Sequence, residues 1–449
     1  MTQKPRPTSM LAFTIVWIGQ VVSLLGSAMT WFAFTIWAWQ TTGEATVLAL
    51  VGFFSFGPTL LLSPIAGVLV DRWNRKLVMM VSDLASGLAT IAVLALYATG
   101  NLQVWHVYVV GAVAAAFVSF QFPAYSAAVT VMLPKEQYAR AQGMMGLASS
   151  ASGIFGPLLA ALLLGVIGIV GIMVIDVVTF LVAIGALLLV HIPQPAVTEA
   201  GREGHGNIWK ESIYGFRYIL ERPSLLALQV VLAGGNLVHA LGFTLVAPMI
   251  LARAGNEELV LGSVQSAGAI GGTIGGLLLV ISGGPKRRIH GVLIGWTLAS
   301  LMGGPLMGVG HNLTLWVLAS FFSSLFAPII YGSDQAIWQA KVAPDVQGRV
   351  FATRQLISQV TIPIAMLLAG PLADRVFGPA MMPEGNLSGT FGWLVGAGPG
   401  AGMALLIVFA GILGMLVGLG GYVFYNVRNA EDVLPDFDGE VALPLEAYA

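Results

Sequence analysis

The protein has 449 residues, 57% of them hydrophobic and only 9% charged, with a formal net charge of −1 and no cysteine. Soluble domains carry about 25% charged residues, so a water-soluble fold is excluded, and a near-neutral chain offers nucleic acid no electrostatic footprint. The missing cysteines also exclude disulfides, thiolate metal sites and thiol nucleophiles.

At 1.5 Å per residue, a hydrocarbon core of about 30 Å takes roughly 20 apolar residues. Runs of that length fall at 11–39, 46–70, 77–99, 104–132, 138–166, 168–192, 224–251, 259–283, 289–309, 313–340, 348–373 and 396–426. Lys4 and Arg6 precede the first, which lacks a small-residue cleavage site and reads as a span, not a removable leader. The second and third are joined by a charged hairpin, Gly67 to Lys76. The fifth and sixth are divided by length alone, around the Gly-rich sequence from Gly165 to Gly171. With the N-terminus inside, 18 of the 20 basic residues fall on the inner side, and only Arg253 and Arg375 fall outside. An even number of spans then leaves both termini in the cytoplasm.

The longest polar interruption, 193–223, divides the chain into two six-helix halves, 1–192 and 224–427, followed by an acidic tail, 428–449. Pro134-Lys135-Glu136 ahead of the fifth run has a counterpart in Pro344-Asp345 ahead of the eleventh. Lys286-Arg287-Arg288 likewise matches the place of the first-half hairpin. Two repeated six-helix halves with a site between them is a transporter architecture. In the central loop, Ile208, Trp209, Ile213, Phe216 and Leu220 can share one helical face. That stretch reads either as an amphipathic helix on the inner leaflet or as a linker against the bundle. The tail is expected to be disordered.

Gly67, Asp71, Arg72, Arg75 and Lys76 match the Gly-x-x-x-Asp-Arg-x-x-Arg-Arg/Lys motif between the second and third helices of the major facilitator superfamily. The whole chain resembles that superfamily, and more narrowly its macrolide-efflux and siderophore-exporter (transmembrane secretion effector) branch. Phe122-Pro123-Ala124, Gln347-Gly348-Arg349-Val350-Phe351 and Gly370-Pro371-Leu372-Ala373-Asp374-Arg375 are similar to that branch as well. The antiporter motif of the fifth helix falls on Gly143, Ser152, Gly156 and Pro157, with Ser152 and the alanines at 160 and 161 standing where the pattern has glycine. The resemblance implies twelve transmembrane helices, alternating access and export. One departure is that 104–132 contains no Arg or Lys, whereas many proton antiporters of the superfamily carry an arginine there.

By the same resemblance Asp71 meets the start of the eleventh helix, near Arg349 and Arg354, and latches the halves at the cytoplasmic face. Arg72, Arg75 and Lys76 either pair with acids, Asp83 among them, or serve only as positive-inside anchors. Ionisable groups inside a span are costly and need a reason. His239, Asp334, Asp176 and Asp83 are therefore the candidates for proton coupling. A hydrogen-bonded structural role is the alternative for each, and for Asp176 the neighbouring Thr179 points to one. On the superfamily's map the first, fourth, seventh and tenth helices line the cavity, which makes Gln20, Gln121, Tyr125, Asn236, Phe243, Tyr331 and Trp338 candidate lining residues.

Few charges and many aromatics on those helices fit an amphipathic or hydrophobic cargo. The expected function is proton-coupled export of such a molecule (a drug, a macrolide-like compound or a siderophore) by a monomer in the bacterial cytoplasmic membrane, in contact with membrane lipid. A lipid or lysolipid translocator, a nutrient importer, and more distantly a receptor or scaffold are the alternatives. The chain has no Gly-x4-Gly-Lys-Ser/Thr loop and no clustered histidines, so neither a cofactor nor an enzyme activity is expected. If Asp71 is half of a latch, Asp71→Asn cuts transport at unchanged expression in membranes. Unimpaired transport by that variant would overturn the latch.

Overall fold

The computed structural model describes residues 10–134, 137–193, 208–342 and 346–433. Among them the chain is helical without strands. The side chains of Asp71, Arg72 and 208–213 lie outside that description, as do Lys135, Glu136 and the tail beyond 433.

The first four helices are α1 (Met10–Thr42), α2 (Ala45–Arg72), α3 (Arg75–Ala98) and α4 (Val104–Met132). They are followed by a 52-residue helical stretch, Tyr138–Leu189. At 1.5 Å per residue such a helix would be about 78 Å long, more than twice the bilayer core. The chain reverses instead at Gly168, whose φ of 64° and ψ of −179° belong to a region essentially reserved for glycine. The stretch is thus two helices, α5 (138–167) and α6 (169–189).

Contacts with α1 show the reversal directly. Trp17 donates to the Met144 carbonyl at 2.8 Å, and a Cβ on Gly156 would meet Ala28 at 2.6 Å, so α5 runs with α1. On α6 the order is inverted, because Gly26 abuts Asp176 and Thr179 while Gly19 abuts Ala183 and Ala186.

The second half begins after α7 (Ile208–Leu220) with α8 (Pro223–Thr244) and α9 (Val246–Arg253). Then come α10 (Glu258–Ser282), α11 (Arg288–Val309), α12 (Leu313–Leu325), α13 (Ala327–Lys341) and α14 (Gln347–Pro371). A π-helical turn (Leu372–Phe377), α15 (Gly378–Ala380) and α16 (Ser388–Val395) lead into α17 (Ala401–Val423). The pairs α8–α9 and α12–α13 are each one membrane-length run with a bend, at Leu245 and Phe326. In all, 11 helical runs among the described residues are long and apolar enough to cross a membrane, and one of them is the α5–α6 hairpin.

Two boundaries differ from the sequence reading. The last span starts at Ala401, not 396, because 396–400 is a turn in which Gly396, Gly398 and Gly400 all take positive φ. The tail does not leave the bundle at Arg428, since α18 (Tyr425–Arg428) and α19 (Ala430–Val433) continue it. The Glu431 carboxylate accepts from the backbone N–H of Arg288 (3.1 Å) and Ile289 (2.9 Å). An acid at the positive end of α11 is the physical reason for that order.

The halves meet along α5 with α10 and along α2 with α14. Ser266 donates to the Ile154 carbonyl at 2.6 Å, and Gly370 lies against Thr46. At the end of the bundle remote from the basic hairpin, Trp39 donates to Asn256 Oδ1 (2.8 Å) and Gln40 to Glu258 Oε1 (3.0 Å). There too Asp374 accepts from the N–H groups of Ala45 (3.0 Å) and Thr46 (2.7 Å), capping α2 from the other half. Arg253, one of the two basic residues at this end, is spent on the carbonyls of Gly308, Gly310 and Val395.

Helices in lipid gain little from apolar burial against each other and rely on close packing. A Cβ on Gly304 of α11 would sit 2.4 Å from the Gly411 Cα of α17. Gly304→Val is therefore expected to cost about 1–3 kcal/mol by overpacking, read as a lower thermal midpoint in detergent. Gly143→Ala, where a Cβ meets nothing within 4 Å, is expected to leave the midpoint unchanged.

Candidate functional site

Among the described residues, each half holds a space of comparable size between its helices. In the first half a cavity of about 130 Å³ lies between α1, α3, α4 and α6. Asp83 on α3 is 3% exposed, accepting from Gln20 Nε2 on α1 (2.9 Å) and Gln121 Nε2 on α4 (2.5 Å). Gln121 also donates to Gln20 Oε1 at 3.0 Å, which closes a three-residue ring across three helices. Asp176 on α6 borders the same cavity, accepting from Ser27 of α1 (3.1 Å) and Thr90 of α3 (2.8 Å). Thr179 donates to the Asp176 backbone carbonyl, so it is not the interhelical partner of that acid.

The expected link between Asp83 and the basic hairpin is corrected by this geometry. Asp83 lies eight residues beyond Arg75, about 12 Å up the helix, and faces α1 and α4. Arg75 donates to the Ala127 carbonyl (2.9 Å) and Lys76 to that of Val190 (2.8 Å). Lys76 thus caps the end of α6, where carbonyls are otherwise left unpaired, while Arg75 ties α3 to a carbonyl inside α4.

In the second half a cavity of about 140 Å³ lies between α8, α11, α12–α13 and α17. Its walls include His239, Phe243, Trp296 and Tyr331, with Gly304 and Gly411 at the back. His239 stacks on Phe243 (centroids 5.9 Å), and Trp296 stands edge-on to both His239 (6.1 Å) and Tyr331 (6.5 Å). The Tyr331 hydroxyl donates to Asn236 Oδ1 at 2.7 Å. Phe243 and Tyr331 are 67% and 42% exposed, so the cavity is open on their side.

Asp334 is fully buried and takes no part in a cavity wall. It pairs with Arg354 of α14 at 2.8 Å and accepts from the Trp338 indole at 3.1 Å. Gln229 of α8 holds the Arg354 carbonyl (3.1 Å) and Ser358 (2.9 Å). Trp338 is thus walled in beside an ion pair and is no lining residue. Tyr125, 8% exposed and stacked on Phe13, is core as well. Arg349 is exposed and lies 5.9 Å from the Tyr214 ring of α7, while the Asp71 side chain falls outside the described residues. In the antiporter motif Gly156 faces α1, Pro157 abuts Gly262 of α10 across the halves, and Ser152 is buried. Sequence reasoning missed Trp296, since nothing distinguishes a tryptophan on a lipid-facing span from one turned inward.

Residues 16–366 match the sequence profile of the Major Facilitator Superfamily. The chain is 30% identical over 372 residues to "Macrolide efflux protein A" of Streptococcus pyogenes, covering 82% of this chain and 90% of that protein. A protein of the same name from Enterococcus faecalis is 30% identical over 330 residues, 72% of this chain and all of that one. Among solved structures, a bacterial homolog of the human lysosomal transporter Spinster, in an inward-facing and unoccupied conformation, superposes with a TM-score of 0.67 at 15% identity. It covers 94% of this chain and 98% of its own. An inward-facing bacterial homologue of ferroportin gives 0.62 at 15% identity, with 92% and 100% covered.

Removing one member of a buried ion pair strands the other charge, whereas removing both does not. Arg354→Gln is expected to lower stability by about 3–5 kcal/mol, and Arg354→Gln with Asp334→Asn to recover most of it, by thermal unfolding in detergent.

Proposed function

The chain belongs to the major facilitator superfamily and is an integral multi-pass membrane transporter; from that premise we propose that it exports an amphipathic or hydrophobic small molecule in exchange for protons. The chemical class of cargo that best fits is macrolide-like, on the 30% identity to two macrolide efflux proteins. The observation that carries the reading is the division of chemistry between the halves. The first-half cavity holds two carboxylates at membrane depth, Asp83 and Asp176, and the second-half cavity is aromatic and free of Asp, Glu, Lys and Arg.

Twelve crossings with cytoplasmic termini are part of this reading, supported by the charge bias and by the reversal between α5 and α6. The cross-half bonds of Trp39, Gln40 and Asp374 lie at the opposite end, which supports a state open to the cytoplasm. Asp71 against the start of α14 then closes the cytoplasmic end in the alternate state. A lipid or lysolipid cargo is the second reading, favoured by the open apolar groove of Trp73, Leu77, Val81 and Phe120 between α3 and α4.

Reconstitution with a pH-sensitive dye inside the vesicles tests the proposal. Erythromycin, taken as a representative macrolide, is expected to drive proton movement. Asp83→Asn and Asp176→Asn are each expected to lower that movement at least about tenfold while cargo binding persists. Cargo movement with no proton flux would retire the exchange.

A further inference from the structure

Two hexapeptides of this chain share one pattern. Gly67-Val68-Leu69-Val70-Asp71-Arg72 ends α2, and Gly370-Pro371-Leu372-Ala373-Asp374-Arg375 ends α14 and enters the π-helical turn. They are not counterparts in the duplication, because the place of the first hairpin in the second half is taken by Lys286 to Arg288. Packing relates them instead. A Cβ on Gly370 would sit 2.4 Å from the Thr46 Cα, and one on Gly52, further along α2, would meet Met366, further back on α14, at 3.3 Å. The two helices are therefore antiparallel, and the end of each lies toward the start of the other. At the outer end this has a consequence. First-turn N–H groups have no partner inside their own helix, and Glu44, the residue before α2, makes no side-chain cap. Asp374 supplies the acceptors from the other half. Its Oδ1 accepts from the Ala45 N–H (3.0 Å), and its Oδ2 accepts from the Thr46 N–H (2.7 Å) and the Thr46 hydroxyl (2.6 Å). A carboxylate on a helix start is favoured by charge-assisted bonds and by the helix dipole.

We propose that Asp374 is the clasp of the outer end in the transport cycle: it holds the state open to the cytoplasm and must release α2 before the outer end opens. This rests on the alternating-access reading above and adds a positioning residue to it. All three bonds cross between the halves, so none survives when the halves part at this end. Gly370 is part of the device, since a side chain there would run into the first turn of α2 and hold Asp374 away from it. Closing the inner end brings the start of α14 toward the end of α2, where the first hexapeptide carries Asp71 at the same spacing from its glycine. One contact between a carboxylate and a helix start then forms as the other is lost. Exchange of like for like keeps the two states close in energy, which a two-state carrier needs, because a large gap leaves the minor state unpopulated.

The chain has no cysteine of its own, so introduced ones can be labelled without background. Asn101→Cys and His311→Cys place spin labels on exposed outer loops of the two halves, and double electron–electron resonance on the full-length protein in nanodiscs reads the distance between them. The labelled parent is expected to favour the short distance. Asp374→Asn keeps the shape of the side chain and loses its charge. It is expected to raise the ratio of long to short distances at least about tenfold, the worth of a charge-assisted bond. Thr46→Val removes one donor from the opposite side of the contact. It is expected to shift the ratio the same way, about 3- to 10-fold, and to add little on top of Asp374→Asn. A ratio unmoved in both variants, with or without a lower thermal midpoint, leaves Asp374 as a helix cap only and overturns the clasp while the transport reading stands. Should Asp374→Asn fail to fold, the ratio in Thr46→Val decides alone. A parent that shows a single distance between about pH 5 and 8, with and without erythromycin, removes the alternating-access reading and the clasp with it.

Discussion

A carboxylate at membrane depth must be met by donors from other helices, because hydrocarbon supplies none. Among the described residues Asp83, Asp176 and Asp334 meet that constraint, each differently. Asp83 is met by two amides, Asp176 by two hydroxyls and Asp334 by a guanidinium and an indole. The first two solutions tie α1, α3, α4 and α6 into one unit around a cavity, and the third ties α13 to α14. Helix placement in each half follows from these knots together with the glycine-mediated contacts that let backbones approach.

The different solutions have different consequences. An amide or hydroxyl donor can reorient when the carboxylate takes up a proton, so Asp83 and Asp176 can change charge without leaving a stranded partner. Arg354 cannot lose its charge, and protonation of Asp334 would leave it unpaired in a buried site. The third acid is for that reason better suited to fixing α14 against α13. That helix also carries Arg349 and the start at which the proposed latch closes. One half thus holds two carboxylates met by neutral donors, while the other presents an aromatic cavity free of Asp, Glu, Lys and Arg.

Much of this was legible beforehand, at the level of residue classes. The hairpin from Gly67 to Lys76, the basic bias and the repeated Pro-acid starts led to the family, and the family profile and relatives confirm it. Phe243, Tyr331, Gln20 and Gln121, named as lining residues, and His239, named for proton coupling, border the spaces inside the two halves. Tyr125 and Trp338 were named on the same grounds and are core. A 3.6-residue period without polar contrast does not say which side of an all-apolar helix faces inward. Asp83 was assigned to the wrong neighbours, since sequence distance along α3 says nothing of what α1 and α4 bring against it.

The amino-acid sequence by itself determined the solvent, the crossing segments, the charge asymmetry and the family. All of these rest on composition and on runs long enough to average over single residues. Only the tertiary structure decided that Asp334 belongs to Arg354, that Asp83 and Asp176 border one cavity, and that Trp296 is turned inward with an unspent donor. The physical reason is that a helix face is chosen by its neighbours. In a bilayer those neighbours select through steric fit and hydrogen bonding, which depend on residues hundreds of positions away, and not through an apolar pattern written along one helix.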